Sequence, residues 1–287
     1  MPTLAISLIE LTTAQISGSR ELPICLDLNV SSKNDPLIVF CHGYKGFKDW
    51  GAWNLVSDSF CRSGFNFLKF NFSHNGGTPD EQIDFPDLQA FGNNNYSIEL
   101  DDLNRVISWV KSGCDNMINA DREIFLIGHS RGGAIAVIGA SENPAIAGLS
   151  TWGGVSDFDV RFPTGDELKA WKKAGVYFVD NKRTNQRMPH YFQFYKDYQQ
   201  NAERLDIRRA ARDMSIPYLI LHGSEDEAVH FTEAMRLKKW AANAQLEIIL
   251  GANHTFGSYH PFEAERLPDW LDAAVQATTD FFNKLRS

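Results

Sequence analysis

The chain has 287 residues, 43% of them hydrophobic and 22% charged, and a formal net charge of −8. This is the mixture of a soluble globular protein with room for one large core. The acidic balance argues against nucleic acid or an anionic membrane as a partner, and no apolar run approaches the length of a transmembrane span.

The opening stretch "MPTLAISLIELTTAQ" lacks a basic region and an uninterrupted apolar block, so it does not read as a signal peptide. "TLAISLIEL" and "LPICLDLNV" have no helix between them and are expected to extend a sheet in antiparallel fashion. Six further apolar runs follow: "PLIVFCHG" (36–43), "FNFLKFNFS" (65–73), "EIFLIGHS" (123–130), "IAGLSTWGG" (146–154), "PYLILHGS" (217–224) and "LEIILGANH" (246–254). They do not alternate between apolar and polar, as strands buried on both faces of a parallel sheet need not. Helical patterns separate them. "GAWNLVSDSFCRSG" stops at Gly64. "SIELDDLNRVISWVKSG" opens at Ser97 and places Ile98, Leu103, Val106, Ile107 and Val110 on one face. "TEAMRLKKWAANA" and "DWLDAAVQATTDFFNKL" repeat the pattern. Strands alternating with helices predict an α/β architecture with right-handed crossovers.

Between Gly154 and Ile216 the rhythm breaks. A helix-like "GDELKAWKKAG", a hairpin around "VYFVDNKRTNQRM" and the aromatic "HYFQFYKDYQQN" replace the buried-strand pattern. The stretch is too long for a simple connection. Residues from about 156 to 203 are therefore expected to form a cap insertion within one domain. It leaves from the carboxyl end of a strand, the side on which the ligand crevice of an open parallel sheet lies. Cys25, Cys41, Cys61 and Cys114 form no CxxC pair, which predicts buried, reduced thiols in a cytoplasmic protein.

The pattern G-x-S-x-G occurs at Gly128-His129-Ser130-Arg131-Gly132, after a buried strand and before the helical "GGAIAVIGA". A serine on so tight a strand-to-helix turn is pushed out of the core toward the end of the sheet. The N–H after it and the start of the helix face any negative charge that forms there. A serine hydroxyl is a poor nucleophile at neutral pH and needs a base held by an orienting group. Among eight histidines, His254 ends a strand-like run where sheet meets loop. "LHGSEDEAV" supplies an acid between serine and histidine in chain order, with Glu225, Asp226 and Glu227 all available.

At these residues the chain resembles the α/β-hydrolase family, and within it small esterases of the dienelactone-hydrolase and feruloyl-esterase kind. The resemblance covers most of the chain and rests on "GHSRGG", the upstream "HGYKG", "HGSEDEAV" and the closing "GANHTF". It implies the α/β-hydrolase fold, a mostly parallel sheet flanked by helices. It selects Asp226, four residues after His222, and implies a triad of Ser130, Asp226 and His254. It also implies that the backbone N–H groups of Tyr44 and Arg131 form an oxyanion hole. His42 and His222 are expected to be structural groups beneath the site.

Arg131 and Lys45 flank that position and are expected to face solvent or pair with acids rather than bind substrate. Arg183, Gln186, Arg187 and His190 read as a solvated hairpin tip. In the cluster of Tyr191, Phe192, Phe194, Tyr195 and Tyr198, helix packing is the main expectation, with Tyr191 and Phe194 as possible walls of an acyl pocket. "SEDE" lacks partner ligands at metal spacing, and no HExxH, Walker A or GxGxxG sequence occurs. The expected protein is a cofactor-free, metal-free serine hydrolase acting on a small-molecule ester. Thioester, amide or short-peptide hydrolysis by the same triad, and a ligand-binding receptor on this fold, stand as alternatives.

Overall fold

The structure, a computed structural model, describes residues 9–286. Residues 3–8 of the expected first strand lie outside them. The chain opens with β1 (Glu10–Ser17), β2 (Pro23–Val30) and β3 (Leu37–Cys41). There follow α1 (Trp53–Arg62), β4 (Asn66–Phe70), α2 (Leu88–Gly92), α3 (Tyr96–Lys111), β5 (Ile124–His129), α4 (Arg131–Glu142) and β6 (Ile146–Trp152). Next come α5 (Gly165–Ala174), β7 (Val176–Asn181), β8 (Gln186–Tyr191) and α6 (Gln193–Gln200). The chain closes with α7 (Ile207–Asp213), β9 (Tyr218–Gly223), α8 (Thr232–Trp240), β10 (Ala244–Ile249) and α9 (Asp269–Asn283).

Eight strands form one sheet in the order β1-β2-β4-β3-β5-β6-β9-β10. β1 pairs antiparallel with β2 and β2 with β4, whereas every pairing from β4 to β10 is parallel. The continuous apolar runs become strands covered on both faces. All residues of β3, β4, β5 and β9 are buried, whereas β1, at the edge, is half exposed. Two hydrophobic cores lie on opposite faces. One packs the sheet against α3, α4, α7 and α8, through residues such as Leu103, Ile135, Ala210 and Leu237. The other packs it against α1 and α9 through Trp53, Phe60, Phe125, Trp152 and Phe282. The four cysteines are buried and free. No described helix is long and apolar enough to cross a membrane.

The start of α3 differs from the expected one. Asn95, not Ser97, caps it, its side chain accepting from the Ile98 N–H at 2.8 Å. Ser97 lies inside the first turn and donates to Asp197 of α6 at 2.7 Å. Asn and Ser cap almost equally well, so a nearby Asn can move the boundary.

The segment between β6 and α7 adds nothing to the main sheet. β7 and β8 pair only with each other, from Val176↔Tyr191 to Asn181↔Gln186. Phe162, Trp171, Phe194 and Leu205 from this segment join the α3/α4 core.

The loop after β3 is anchored by buried charges. Lys48 Nζ lies 2.6 Å from Asp27 Oδ2 and 2.5 Å from Asp49 Oδ2, and Lys69 Nζ lies 2.6 Å from Asp27 and also pairs with Asp49. The lysine side chains are 6% and 3% exposed. The Lys48 N–H donates to Asn71 Oδ1 at 2.7 Å. Two cations and two anions thus compensate each other where a lone charge would be strongly disfavoured.

Candidate active site

Ser130 sits between β5 and α4 with φ 57° and ψ −121°. A non-glycine residue at positive φ is strained, and such strain persists only where the surroundings enforce it. The neighbouring glycines show why the turn can be so tight. A Cβ on Gly128 would lie 2.4 Å from the Gly132 carbonyl oxygen, and one on Gly132 would lie 2.3 Å from that of Cys41. Backbone therefore lies where a side chain would stand.

The loops after β9 and β10 bring the acid and base to this serine. His254 Nε2 is 2.9 Å from Ser130 Oγ, and its Nδ1 is 2.8 Å from Asp226 Oδ2. The carboxylate can only accept from Nδ1–H, so in the neutral ring Nε2 is left to accept the serine proton. Asp226 Oδ1 accepts the N–H groups of Ala228 and Val229 at 3.0 and 2.8 Å. Burial by itself would raise the Asp226 carboxyl. The hydrogen bond and charge of His254, with the Val229 N–H and His222, outweigh it and hold the group below the ordinary aspartate value. Glu225 and Glu227 are exposed.

Three other histidines serve as struts. His222 Nε2 donates to the Val229 carbonyl at 2.7 Å and fixes the acid loop. His129 Nε2 donates to the His254 carbonyl at 2.9 Å, tying the residue before Ser130 to His254. His42 Nδ1 donates to the Gly43 carbonyl at 2.9 Å. Burial depresses His42 to about 4 and His129 to about 3, so both are neutral at pH 7.

On the other flank of Ser130 lies the loop after β3. Gly43 approaches so closely that a Cβ there would be 2.9 Å from Ser130 Cβ. Among the described residues, no acceptor takes the backbone N–H of Tyr44 or of Arg131. The two side chains are stacked, with the Arg131 guanidinium carbon 4.3 Å from the Tyr44 ring centre. Arg131 is only 15% exposed and pairs at 3.2 Å with Glu99 of α3, itself 5% exposed. Burial opposes the charge on Arg131, but Glu99, with Tyr96 and Tyr44, outweighs it and raises the guanidinium above its ordinary value. Tyr44 Oη lies 2.7 Å from His190 Nε2, on β8 of the inserted segment.

A cavity of about 430 Å³ opens beside Ser130 and His254. Tyr44, Tyr96, Phe158, Tyr177 and Phe194 give it an aromatic lining, with Arg131 and Arg161 at its walls. A second lobe of about 270 Å³ lies on the other side and shares Tyr44, Lys45, Ser130 and His254 with the first. A larger groove of about 900 Å³, between α1 and the loop before α9, contains none of these residues.

Of the walls expected from sequence, Phe194 lines the larger lobe and Tyr191 does not. Tyr191 points at α2, where its hydroxyl donates to Gln89 at 2.6 Å and its ring covers Gly92. Arg131 pairs with an acid, as expected, but also lines the cavity. The hairpin departs from a solvated tip in three places: His190 is 4% exposed within the larger lobe, Arg183 lines the smaller one, and Gln186 donates to the Phe85 carbonyl at 3.0 Å. Glu99, Tyr96 and Asn181 carried no motif. Glu99 at least had a cue, as an acid among the apolar positions of the α3 face.

With this geometry in hand, the comparisons with known proteins are specific about the fold. Residues 38–266 match the Alpha/beta hydrolase family, and the chain belongs to that family. No curated protein sequence matches. Est1E from Butyrivibrio proteoclasticus, in a structure described as having ferulic acid bound, superimposes with a TM-score of 0.70 at 16% identity over 95% of this chain and 99% of that one. Dienelactone hydrolase from Anabaena variabilis gives 0.65 at 15% identity, covering 97% and 99%. A putative hydrolase from Agrobacterium vitis S4 gives 0.70 at 17%, covering 96% and 99%.

Proposed function

We propose that this protein is a carboxylic ester hydrolase that acts on small molecules through an acyl-enzyme. The observation that carries the proposal is the unbroken line from Ser130 Oγ through His254 to Asp226, opening into an aromatic cavity. In this scheme His254 Nε2 removes the Ser130 proton as Oγ attacks the ester carbonyl carbon. The N–H groups of Tyr44 and Arg131 receive the oxyanion, where a well-placed donor contributes about 3 kcal/mol. The intermediate collapses and the C–O bond to the alcohol breaks. His254 hands its proton to the departing alkoxide. Water, deprotonated by the same nitrogen, then attacks the acyl carbonyl and releases the acid and free Ser130. Asp226 keeps the proton on Nδ1 and offsets the imidazolium charge. The segment from β6 to α7 acts as a cap whose Phe158, Tyr177 and Phe194 select the bound group.

A fluorophosphonate probe and a panel of chromogenic esters with aliphatic and aromatic acyl groups test this reading. Wild type should be labelled and should turn over part of the panel, and Ser130→Ala should do neither. Equal labelling of Ser130→Ala, or hydrolysis that survives the substitution, removes Ser130 from the role.

A further inference from the structure

No Asp or Glu lines the smaller lobe, as none lines the larger. Lys45, which lines both lobes, has no carboxylate partner among the described residues; its ammonium lies over the Tyr44 ring, 5.3 Å from the ring's centre. It is held at φ 53°, so backbone strain is accepted where it projects from the loop. Burial pulls its pKa below the ordinary lysine value. From the end of β7, Asn181 contributes a side chain that is 7% exposed and whose amide nitrogen is buried without a hydrogen-bond partner. Arg183 stands beside them, its charge shared with Asp84. Trp50 and Trp53 supply apolar wall.

We infer that this lobe is a carboxylate subsite, in which Lys45 and the Asn181 amide, with Arg183 at the rim, bind an anionic group on the substrate across Ser130 from its aromatic portion. This rests on the reading of Ser130 as the reacting centre and adds the substrate class. A buried donor without an acceptor and a partly desolvated cation without an anion are both unfavourable alone. One ligand group satisfies both. Arg183 is already balanced by Asp84, so the lobe carries one uncompensated positive charge, which matches a carboxylate better than a phosphate dianion. The volume of about 270 Å³ leaves room for a short chain bearing that group.

The test separates binding from turnover. Ser130→Ala protein is titrated calorimetrically with monobenzyl succinate and with carboxymethyl benzoate, which place the carboxylate on the acyl and the alcohol side of the ester. Each acid is compared with its methyl ester, and benzyl phosphate is the dianion control. At least one acid should bind about tenfold more tightly than its methyl ester, and adding Lys45→Met should reduce that ratio to about twofold. Asn181→Leu and Arg183→Met should each reduce it severalfold, and they carry the test if circular dichroism shows Lys45→Met misfolded. Equal binding of acids and methyl esters, a preference untouched by these substitutions, or tighter binding of benzyl phosphate overturns the subsite. Wild type that hydrolyses neither these esters nor any of the chromogenic panel while the binding preference persists would instead overturn the ester-hydrolase reading and leave the subsite standing.

Discussion

The two flanks of Ser130 are built in opposite ways. On one flank the carboxylate is held within its own loop: Asp226 accepts from Ala228 and Val229, two and three residues on, and His222 bonds to Val229, while His254 reaches it from the loop after β10. On the other flank, the contacts join distant elements: Arg131 to Glu99 of α3, and Tyr44 to His190 of the inserted hairpin. The first flank is a set of short turns at the ends of parallel strands. The second is a stack of buried side chains that needs the whole tertiary structure. The orientation of Asp226 is therefore set by local geometry, while placement of the loop after β3 depends on the helix and the hairpin packed against it.

The sharpest way to test the local flank is Asp226→Asn. It keeps the shape but removes the acceptor that fixes the His254 tautomer, and should cost roughly 10³–10⁴ in kcat on a chromogenic ester. Glu225→Gln and Glu227→Gln, both exposed, should stay within about twofold. A crippled Glu225→Gln enzyme would shift the acid by one residue. For the long-range flank, Glu99→Gln leaves the buried Arg131 charge without its partner. Urea titration should show a loss of roughly 3 kcal/mol of stability, with kcat falling alongside as the Arg131–Tyr44 stack loosens. Unchanged stability would mean that the guanidinium reaches water.

Smaller effects sharpen the comparison. Phe194→Ala should raise KM for aromatic esters about tenfold with less change in kcat, because it removes lining and not chemistry. Tyr191→Ala should leave that preference nearly unchanged, since its ring covers α2. Similar KM changes in both variants would place the aromatic group elsewhere. Acid should act on the second flank. His42 and His190 are held neutral by burial at about 4 and about 3, below the ordinary 6.5. Folded pKa values below the unfolded one mean stability is fully present above pH 6.5 and is lost as pH falls toward 4. The urea midpoint should fall by about 1 M between pH 7 and pH 5. A midpoint that rises with acidification would contradict neutral burial of these rings.

Legibility followed the same division. The strands after which Ser130, Asp226 and His254 stand were readable because continuous apolar runs mark buried parallel strands. The order of serine, acid and histidine was carried by the resemblance of "GHSRGG", "HGSEDEAV" and "GANHTF". The insertion was visible as a break in that rhythm. Its inner face was not: alternation in "VYFVDNKRTNQRMPHY" distinguishes two sides of a hairpin but not which side meets the cavity, so His190 and Arg183 read as tip residues and Tyr191 as a wall. Glu99 escaped because its partner lies 32 residues away, a contact that only the packing of α3 on α4 creates.

The charge cluster that anchors the loop after β3 has a consequence for how this chain can vary. Lys48 and Asp49 come from that loop, Asp27 from β2 and Lys69 from β4. A change at any one of the four leaves a net buried charge and destabilises the fold, whereas exchanging a lysine and an aspartate together for apolar residues of similar size keeps the balance. The four positions should therefore be mutually contingent. A library randomised at one of them should yield few folded variants, and a library randomised at oppositely charged pairs should yield many more. The loop beside Ser130 is, in that sense, inherited as a block with the antiparallel edge of the sheet.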